Sequence, residues 1–371
     1  MKVLVLSVAT GGGHLTTSKA IANYINQIGH EAMVVDTYEY IAPILNTGLS
    51  KGYLMSTKYA PGVYGKVYTK CENKDATNKR IYAIKTMNTI IRRKFVKLIK
   101  DYKPDAIVCS HVMAAQLVDS VRPMCVGDDV LTVGIVTDFT LHPYWEDTSF
   151  DYYITASELL NLRLEKKGIF AEQIKPFGIP VDFKFSQKLD KKEARRMLGI
   201  DDKKTLLVMS GSMGYGNVIK NIRQLDSLDA DFQLIVVCGN NKRLKKRVEN
   251  LVTQKKKYVY GFTDKVDIMM SASECIVTKP GGLTVSEALA KELPIILMNP
   301  IPGQEDRNME FLLNNGAAQA ISSTYPLDEA VYELFSNEWR LENAVNTVKY
   351  FSKPNATKDL CEFIINELTE K

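Results

Sequence analysis

A histidine and an aspartate of this chain stand where acid–base chemistry is possible. His14 follows Gly11-Gly12-Gly13, and the three glycines leave its imidazole little steric cover. An imidazole with a pKa of about 6.5 suits a general base that removes a proton from a hydroxyl group. Asp138 ends the apolar run 133–137, where a carboxylate can orient an imidazole or take the proton itself. We predict His14 and Asp138 as the catalytic candidates; the alternative for each is a capping role at a helix or turn.

Further polar and aromatic residues follow the same predicted strand ends. His111 comes directly after the apolar run 107–110, and His142 and Trp145 follow Asp138 within a few residues. Because parallel strands deliver their carboxyl ends to one edge of a sheet, these side chains are expected to share a cleft. The predicted acceptor side of that cleft consists of Gly12, Gly13, His111, His142 and Trp145.

The segment 278–308 has the features of a site for a phosphorylated ligand. A strand at 274–278 turns through Pro280-Gly281-Gly282 into a helix that starts at Leu283, and a second strand at 294–298 ends in the polar loop 299–307 before another helix. A glycine turn at a helix N-terminus lets backbone amides approach an anion. Glu287 is placed to accept hydrogen bonds from ribose hydroxyls, and Gln304, Glu305 and Asn308 suit sugar hydroxyls.

A second glycine-rich turn, 209–216, contains Gly211, Ser212 and Gly214. Neither this turn nor Gly11-Gly12-Gly13-His14 has the ending of a Walker A loop or the spacing of a nicotinamide-binding motif. Each turn on its own is compatible with an ordinary tight turn. Glu305 and Asp306 could hold a metal, but no second acidic cluster lies near them in the sequence, so no metal and no cofactor are predicted to be required.

The elements that must position these residues alternate between strand and helix. Strands are predicted at 2–8, 32–36, 105–110, 130–137, 151–156, 205–210, 232–238, 258–260, 274–278 and 294–298, with helices at 14–28, 81–101, 114–121 and 157–167 among those between them. Repeated βα units predict an α/β protein with parallel sheets. We expect two Rossmann-like domains facing a central cleft, residues 1–180 and 181–371, with 180–190 as linker and the last helix able to pack back on the first domain.

Composition limits the class of protein. A chain of 371 residues exceeds what one core usually supports. Six scattered cysteines without a CxxC pair indicate reduced thiols in the cytoplasm. The N-terminal apolar run is too short for a signal peptide, and no run approaches the ~20 apolar residues of a membrane span.

The positive charge is concentrated in one segment. Residues 51–103 hold fourteen Lys or Arg against Glu72, Asp75 and Asp101, with tyrosines interleaved at positions 53, 59, 64, 68 and 82. Such a segment fits an anionic membrane surface, for which we single out Arg92, Arg93 and Lys94. A solvated basic helix face is the alternative. Nucleic acid is not expected, because no nucleic-acid-binding motif accompanies the charge.

The motif Lys279-Pro280-Gly281-Gly282-Leu283-Thr284-Val285-Ser286-Glu287 resembles the donor site of a group of GT-B glycosyltransferases. That group contains the lipid II N-acetylglucosaminyltransferase, the monogalactosyldiacylglycerol synthases and the processive diacylglycerol glucosyltransferases. The motifs around His14, Asp138 and Pro302-Gly303-Gln304-Glu305 resemble the diacylglycerol branch, and the resemblance extends over nearly the whole chain.

The resemblance implies that the first domain binds a lipid acceptor and the second a UDP-sugar. The implied donor-binding residues are Gly211, Ser212, Gly214, Lys279, Gly281, Gly282, Leu283, Thr284, Glu287, Gln304, Glu305 and Asn308. It further implies an inverting, metal-independent transfer of glucose or galactose from a UDP-sugar to diacylglycerol by an enzyme at the inner face of the cell membrane. N-acetylglucosamine transfer to another lipid-linked acceptor, a UDP-sugar epimerase and a non-catalytic UDP-sugar sensor are the alternatives.

Overall fold

The computed structural model describes residues 1–9, 12–41, 89–211 and 217–370. Within them lie two parallel sheets of six strands each. The strands of the first sheet are β1 (Lys2–Ser7), β2 (Glu31–Asp36), β3 (Ala106–Cys109), β4 (Leu131–Ile135), β5 (Tyr152–Ile154) and β6 (Ile174–Lys175). Those of the second are β7 (Thr205–Met209), β8 (Gln233–Val237), β9 (Lys257–Tyr260), β10 (Cys275–Thr278), β11 (Ile295–Leu297) and β12 (Gln319–Ala320).

Helices connect these strands, as parallel pairing requires. In the first half they are α1 (Gly13–Gln27), α2 (Thr37–Ile41), α3 (Thr89–Tyr102), α4 (Val112–Cys125) and α5 (Asn161–Glu165). The later helices are α6 (Lys191–Leu198), α7 (Val218–Asp226), α8 (Lys242–Glu249), α9 (Val266–Ser271), α10 (Gly282–Ala290), α11 (Gln304–Asn314), α12 (Leu327–Ser336), α13 (Glu338–Tyr350) and α14 (Ala356–Glu370).

The strand order explains where each sheet can bind a ligand. The first sheet runs β2-β1-β3-β4-β5-β6, so the chain moves outward from β1 to β2 and then returns to the other side of β1 with β3. The second runs β12-β11-β10-β7-β8-β9, with the same reversal between β7 and β10. Open α/β sheets bind ligands beyond the carboxyl ends of the two strands at such a reversal. Those ends belong to β1 and β3 in the first sheet, and to β7 and β10 in the second.

Continuous apolar burial stabilises both sheets. Every residue of β3, β4, β7, β8 and β10 is buried, as expected for strands covered on both faces. The core of the first sheet includes Val3, Ile21 and Ile154 together with Leu360 and Ile364 of the last helix. The core of the second gathers residues of β7, β8 and β10 with Leu327, Val331 and Leu334.

The chain divides into two compact units. The first comprises Met1–Phe183, Ile301–Gln304 and Asn355–Lys371, and the second comprises Lys184–Pro300 and Glu305–Pro354. Helix α14 therefore belongs to the first unit, where Tyr152 Oη donates to Glu367 at 2.7 Å and Leu360 and Ile364 pack in the core. Across the described residues, no helix combines the length and apolar character that crossing a membrane requires.

The α/β class and the two parallel sheets predicted from the sequence are confirmed, and the boundaries differ in a few places. The two-residue strands β6 and β12 were not predicted, because so short a segment carries no periodicity. The helix predicted at 157–167 is a 3-10 turn at Glu158–Leu160 followed by α5, and the chain turns away at Gly168, whose φ is +87°. The polar loop predicted at 299–307 ends earlier, since α11 already begins at Gln304.

Candidate active site

His14 lies at the start of α1, directly beyond the carboxyl end of β1. Its Nδ1 lies 2.9 Å from the carbonyl oxygen of Ser110 and 3.0 Å from the hydroxyl of Thr137. A carbonyl oxygen can only accept, so Nδ1 carries the hydrogen and the neutral ring keeps its lone pair on Nε2. Burial lowers the pKa of His14 below its usual value of 6.5, and the Ser110 carbonyl partly offsets that effect. The imidazole is therefore neutral at physiological pH and able to accept a proton at Nε2.

His111 follows β3, the neighbour of β1, and its ring meets that of His14 edge to face with 4.5 Å between centroids. Its Nδ1 accepts a hydrogen bond from the amide of Met113 at 3.1 Å and so caps α4. His142 caps the 3-10 helix Pro143–Asp147 in the same manner, accepting from the amide of Tyr144 at 3.2 Å. In the neutral His111 ring, the hydrogen consequently resides on Nε2.

These histidines line a cavity of about 230 Å³ within the first unit. Apolar and polar side chains share its wall: His14, His111, Val112, Met113, Val136, Thr137, Asp138, Thr140, His142, Tyr144, Trp145 and Gln304. All of the predicted catalytic residues and all three non-glycine acceptor residues are thus brought together. Burial and the nearby His14 and His142 hold the pKa of His111 well below 6.5, so His111, like His14, is neutral at physiological pH.

Asp138 lies just beyond β4, and its carboxylate accepts a hydrogen bond from the side-chain amide of Gln304. The sequence placed Gln304 among the donor-binding residues, whereas the structure groups it with the first unit and on the wall of this cavity. Trp145 is almost wholly buried against β4. A Cβ at Gly134 would lie only 2.7 Å from the Trp145 ring, so this strand position needs glycine for the indole to pack there.

Two supports of the site were not predicted. Asp36, at the end of β2, accepts hydrogen bonds from the amide of Ala9 at 3.0 Å and from the amides of Tyr38 and Glu39 at 3.1 Å each. Its carboxylate thereby anchors the chain that leads from β1 towards His14. Beneath the imidazole, the Ser18 hydroxyl donates to the Ser110 hydroxyl at 2.8 Å. An acidic residue ending the second strand was the available sequence signal for Asp36.

In the second unit, the turn after β10 leads into α10 at Gly282, with Gly281 as its N-cap residue. Asn308 is fully buried, and its side-chain amide donates to the carbonyl oxygen of Pro280 at 3.0 Å. The ammonium group of Lys279 lies 3.5 Å from the carboxylate of Glu305. Lys279, Glu305 and Asn308 therefore meet around one turn, beyond the carboxyl end of β10.

The other predicted donor residues lie on or beside the same reversal of strand order. Leu283 and Thr284 lie in the first turn of α10, and Glu287 is buried one turn further along the helix. Gly211 follows β7 with a φ of +68°, a backbone conformation that favours glycine. Ser212 and Gly214 lie outside the described residues, whereas Gly12 is the N-cap residue of α1 and Gly13 is its first residue.

The predicted membrane-facing residues differ in their surroundings. Arg93 and Lys94 are exposed on α3. Arg92 instead donates from its guanidinium group to the carbonyl oxygen of Ser120 at 2.7 Å, which links α3 to α4. Most of the tyrosine- and lysine-rich segment 51–103 lies outside the described residues. Among the ranges that are described, no group of three or more His, Cys, Asp or Glu side chains is arranged to hold a metal ion.

Comparisons with known proteins agree with this architecture. Residues 14–181 match the family model described as monogalactosyldiacylglycerol (MGDG) synthase, and residues 190–349 match that of glycosyl transferases group 1. The processive diacylglycerol beta-glucosyltransferase of Bacillus pumilus is 28% identical over 376 residues, covering 99% of this chain and 95% of the relative. The protein of the same name from Bacillus subtilis (strain 168) gives the same identity and the same coverage.

Among solved structures, MurG of Acinetobacter baumannii superposes with a TM-score of 0.64 at 16% identity, covering 98% of this chain and 99% of that one. This likeness concerns the fold, which is GT-B. The two family models together span residues on both sheets, and the relatives align over nearly the whole chain. The chain therefore combines a monogalactosyldiacylglycerol synthase domain with a group 1 glycosyl transferase domain, and it is similar over nearly its whole length to processive diacylglycerol beta-glucosyltransferases.

Proposed function

We propose that this enzyme transfers a hexose, glucose or galactose, from a UDP-sugar to the free hydroxyl of diacylglycerol and inverts the anomeric centre. The observation that carries the proposal is the hydrogen bond from Nδ1 of His14 to the Ser110 carbonyl. This bond leaves the lone pair on Nε2, so His14, which lines the cavity, can accept a proton at that nitrogen. The names of the full-length relatives support diacylglycerol as the acceptor.

In the proposed reaction, the acceptor oxygen forms a bond to C1 of the sugar while the bond from C1 to the UDP oxygen breaks. The hydroxyl proton passes to Nε2 of His14, and UDP departs with the bonding electron pair. The lowered pKa of His14 keeps the base unprotonated before the reaction. The Ser110 carbonyl, which accepts from Nδ1, stabilises the imidazolium that forms.

Asp138 acts in this proposal through Gln304 and not as the base. Its carboxylate accepts from the Gln304 amide nitrogen, which fixes the amide plane and turns the Gln304 carbonyl oxygen away from Asp138. Gln304 can then hold a sugar hydroxyl with that oxygen. The sequence left open whether His14 or Asp138 takes the proton, and this hydrogen bond favours His14.

The donor half is assigned to the turn after β10. The N-terminus of α10 offers backbone amides and the positive end of the helix dipole to the diphosphate, next to the ammonium group of Lys279. Glu287 would bind the ribose, and Glu305 would hold Lys279 in place at 3.5 Å. Asn308 supports the turn through the Pro280 carbonyl, which gives it a positioning role.

We further propose that α3 brings the enzyme to an anionic membrane surface, at the inner face of the cell membrane. Arg93, Lys97 and Lys100 are exposed and lie at the spacing i, i+4, i+7, so they share one helix face. Each basic residue near an anionic surface contributes about 1 kcal/mol of attraction. Arg92 is excluded from this face because its guanidinium group binds Ser120.

The direct test is mass spectrometry of the lipids formed from dioleoylglycerol and a panel of UDP-sugars, with and without EDTA. We expect a hexosyl diacylglycerol from UDP-glucose or UDP-galactose, formed in the presence of EDTA as well. A change in the UDP-sugar without a lipid product would instead identify an epimerase. Tight UDP-sugar binding without any turnover would identify a sensor, and either result would overturn the proposal.

A further inference from the structure

His111 has one ring nitrogen that the fold does not use. Its Nδ1 accepts from the amide of Met113, so the hydrogen of the neutral ring is on Nε2. Within the part of the chain that the structure describes, no group accepts that hydrogen. The low pKa of His111 keeps the ring neutral at physiological pH, and it therefore acts as a hydrogen-bond donor through a single N–H.

The ring that carries this donor lies beside the ring of the proposed base. The rings of His111 and His14 are 4.5 Å apart and line the same cavity, whose remaining wall includes the apolar side chains of Val112, Val136 and Trp145. A volume of about 230 Å³ is smaller than the ~300–1,000 Å³ of sites for drug-sized molecules. The cavity can thus take the polar head of a lipid, while the chains must extend beyond it.

We infer that Nε2–H of His111 donates to the carbonyl oxygen of the ester next to the reacting hydroxyl, and that the enzyme thereby selects acyl-glycerol over alkyl-glycerol acceptors. This inference rests on the proposed function. In 1,2-diacylglycerol the free hydroxyl and the nearest ester carbonyl are separated by only a few bonds. One imidazole can therefore hold the carbonyl while its neighbour takes the hydroxyl proton.

An ether-linked analogue has the same hydroxyl and the same chains but no carbonyl oxygen. Its binding would leave the His111 N–H without a partner in a partly dehydrated cavity. Sites built to form a hydrogen bond discriminate against ligands that lack the matching group for this reason. We expect kcat/KM for 1,2-dioleoylglycerol to exceed that for 1,2-di-O-oleylglycerol by about tenfold.

Two substitutions of His111 separate the donor from the helix cap. In His111→Asn the side-chain oxygen can replace Nδ1 as the cap of α4, but no donor reaches the position of Nε2. In His111→Gln the amide nitrogen reaches that position, while the cap is lost. We expect His111→Asn to lower the ester-to-ether ratio of kcat/KM to near one and His111→Gln to retain a preference for the ester.

Both lipids are presented in the same mixed micelles with UDP-glucose and UDP-galactose, and His30→Asn, outside the cavity, serves as the control. Equal use of the two lipids by the wild-type enzyme would overturn the inference alone, as would an ester preference that survives His111→Asn. If the melting temperature of His111→Asn lies well below that of the wild-type enzyme, the ester-to-ether ratio of kcat/KM in His111→Gln becomes the decisive measurement. A ratio near one in that variant contradicts the donor role. Failure of the wild-type enzyme to glycosylate either lipid would overturn the proposed function, and the inference with it.

Discussion

The imidazole rings of His14 and His111 meet edge to face at 4.5 Å, although 96 positions separate them in the sequence. The strand order explains this contact. In the sheet, β1 pairs with β2 on one side and with β3 on the other. The residues that follow the carboxyl ends of the parallel strands β1 and β3 are therefore neighbours. The arrangement gives a proton acceptor and a hydrogen-bond donor at one sheet edge.

The two depressed histidine pKa values predict how stability depends on pH. The unfolded chain binds protons at its histidines as the pH falls through about 6.5, whereas folded His111 and His14 resist protonation. The stability that depends on keeping these two rings neutral is therefore complete above that pH. It is lost as the pH falls towards the pKa values of His14 and His111 in the folded protein. Urea unfolding of the wild-type enzyme should show a free energy of unfolding that declines below about pH 6.5. His111→Asn should decline less steeply, and an unchanged slope would contradict this assignment.

Arg195 is expected to contribute more to the stability of the fold than Arg196, the adjacent arginine on α6. Its buried guanidinium group donates to Asp202 at 2.8 Å and to both oxygens of Glu274 at 2.8 and 3.0 Å. Removing one partner of a buried ion pair costs about 3–5 kcal/mol, because the other charge remains buried. Arg195→Met should therefore lower the free energy of unfolding by about that amount. Arg196 provides the matched control.

Arg196 pairs with Glu193 at the exposed surface of the same helix. Solvent screens an exposed pair, so Arg196→Met should leave the free energy of unfolding nearly unchanged. Similar losses in the free energy of unfolding for the two substitutions would contradict the larger contribution expected from the buried Arg195 ion pair.

Asn308 is expected to affect both stability and donor binding. Its loss would leave the Pro280 carbonyl without this buried donor, at a cost of about 1–3 kcal/mol, and would loosen the turn before α10. Asn308→Ala should therefore lower the melting temperature and weaken UDP binding measured by calorimetry. Asn314→Ala, which alters an exposed side chain of the same helix, should do neither. Unchanged UDP affinity in a destabilised Asn308→Ala variant would refute its role in donor binding.

The basic face of α3 can be tested against an equal loss of charge elsewhere. The triple substitution Arg93→Ala, Lys97→Ala and Lys100→Ala should lower the affinity for vesicles containing phosphatidylglycerol, measured by sedimentation, by at least ~30-fold. The reason is that each charge contributes about 1 kcal/mol of attraction. High salt should reduce the difference. The control removes three exposed charges from α8, at Lys242, Arg243 and Lys246. Equal effects of the two triple variants would mean that net charge matters and the α3 face does not.

Much of the fold could be predicted because βα alternation and glycine-rich turns are local patterns. The strands that deliver His14, His111 and Asp138 were predicted within two or three residues of their ends, and the predicted GT-B fold is confirmed. The contact between His14 and His111 was not predictable from spacing, because it depends on strand order. The role of Asp36 was not predictable either, since its partner, the backbone amide of Ala9, lies beyond the end of a different strand.

Gln304 shows a different limit of sequence reasoning. Its position in a polar loop beside Glu305 and Asp306 indicated a ligand-binding residue, and nothing local pointed to Asp138 as its partner. Asn308 was likewise predicted as a sugar ligand from its residue type, whereas complete burial directs its amide to the Pro280 carbonyl. Residue type predicts the chemistry that a side chain can perform, and packing decides which partner it has.

In the proposed reaction, Nε2 of His14 takes the proton of the acceptor hydroxyl. The most direct test of this step is the turnover of His14→Ala with dioleoylglycerol and the preferred UDP-sugar, measured beside the affinity for UDP. General-base catalysis contributes about 10²–10⁴-fold, so kcat should fall by at least ~10²-fold while the Kd for UDP remains within about twofold of wild type. A variant that keeps near-normal kcat with unchanged UDP affinity would contradict the assignment of His14 as the base.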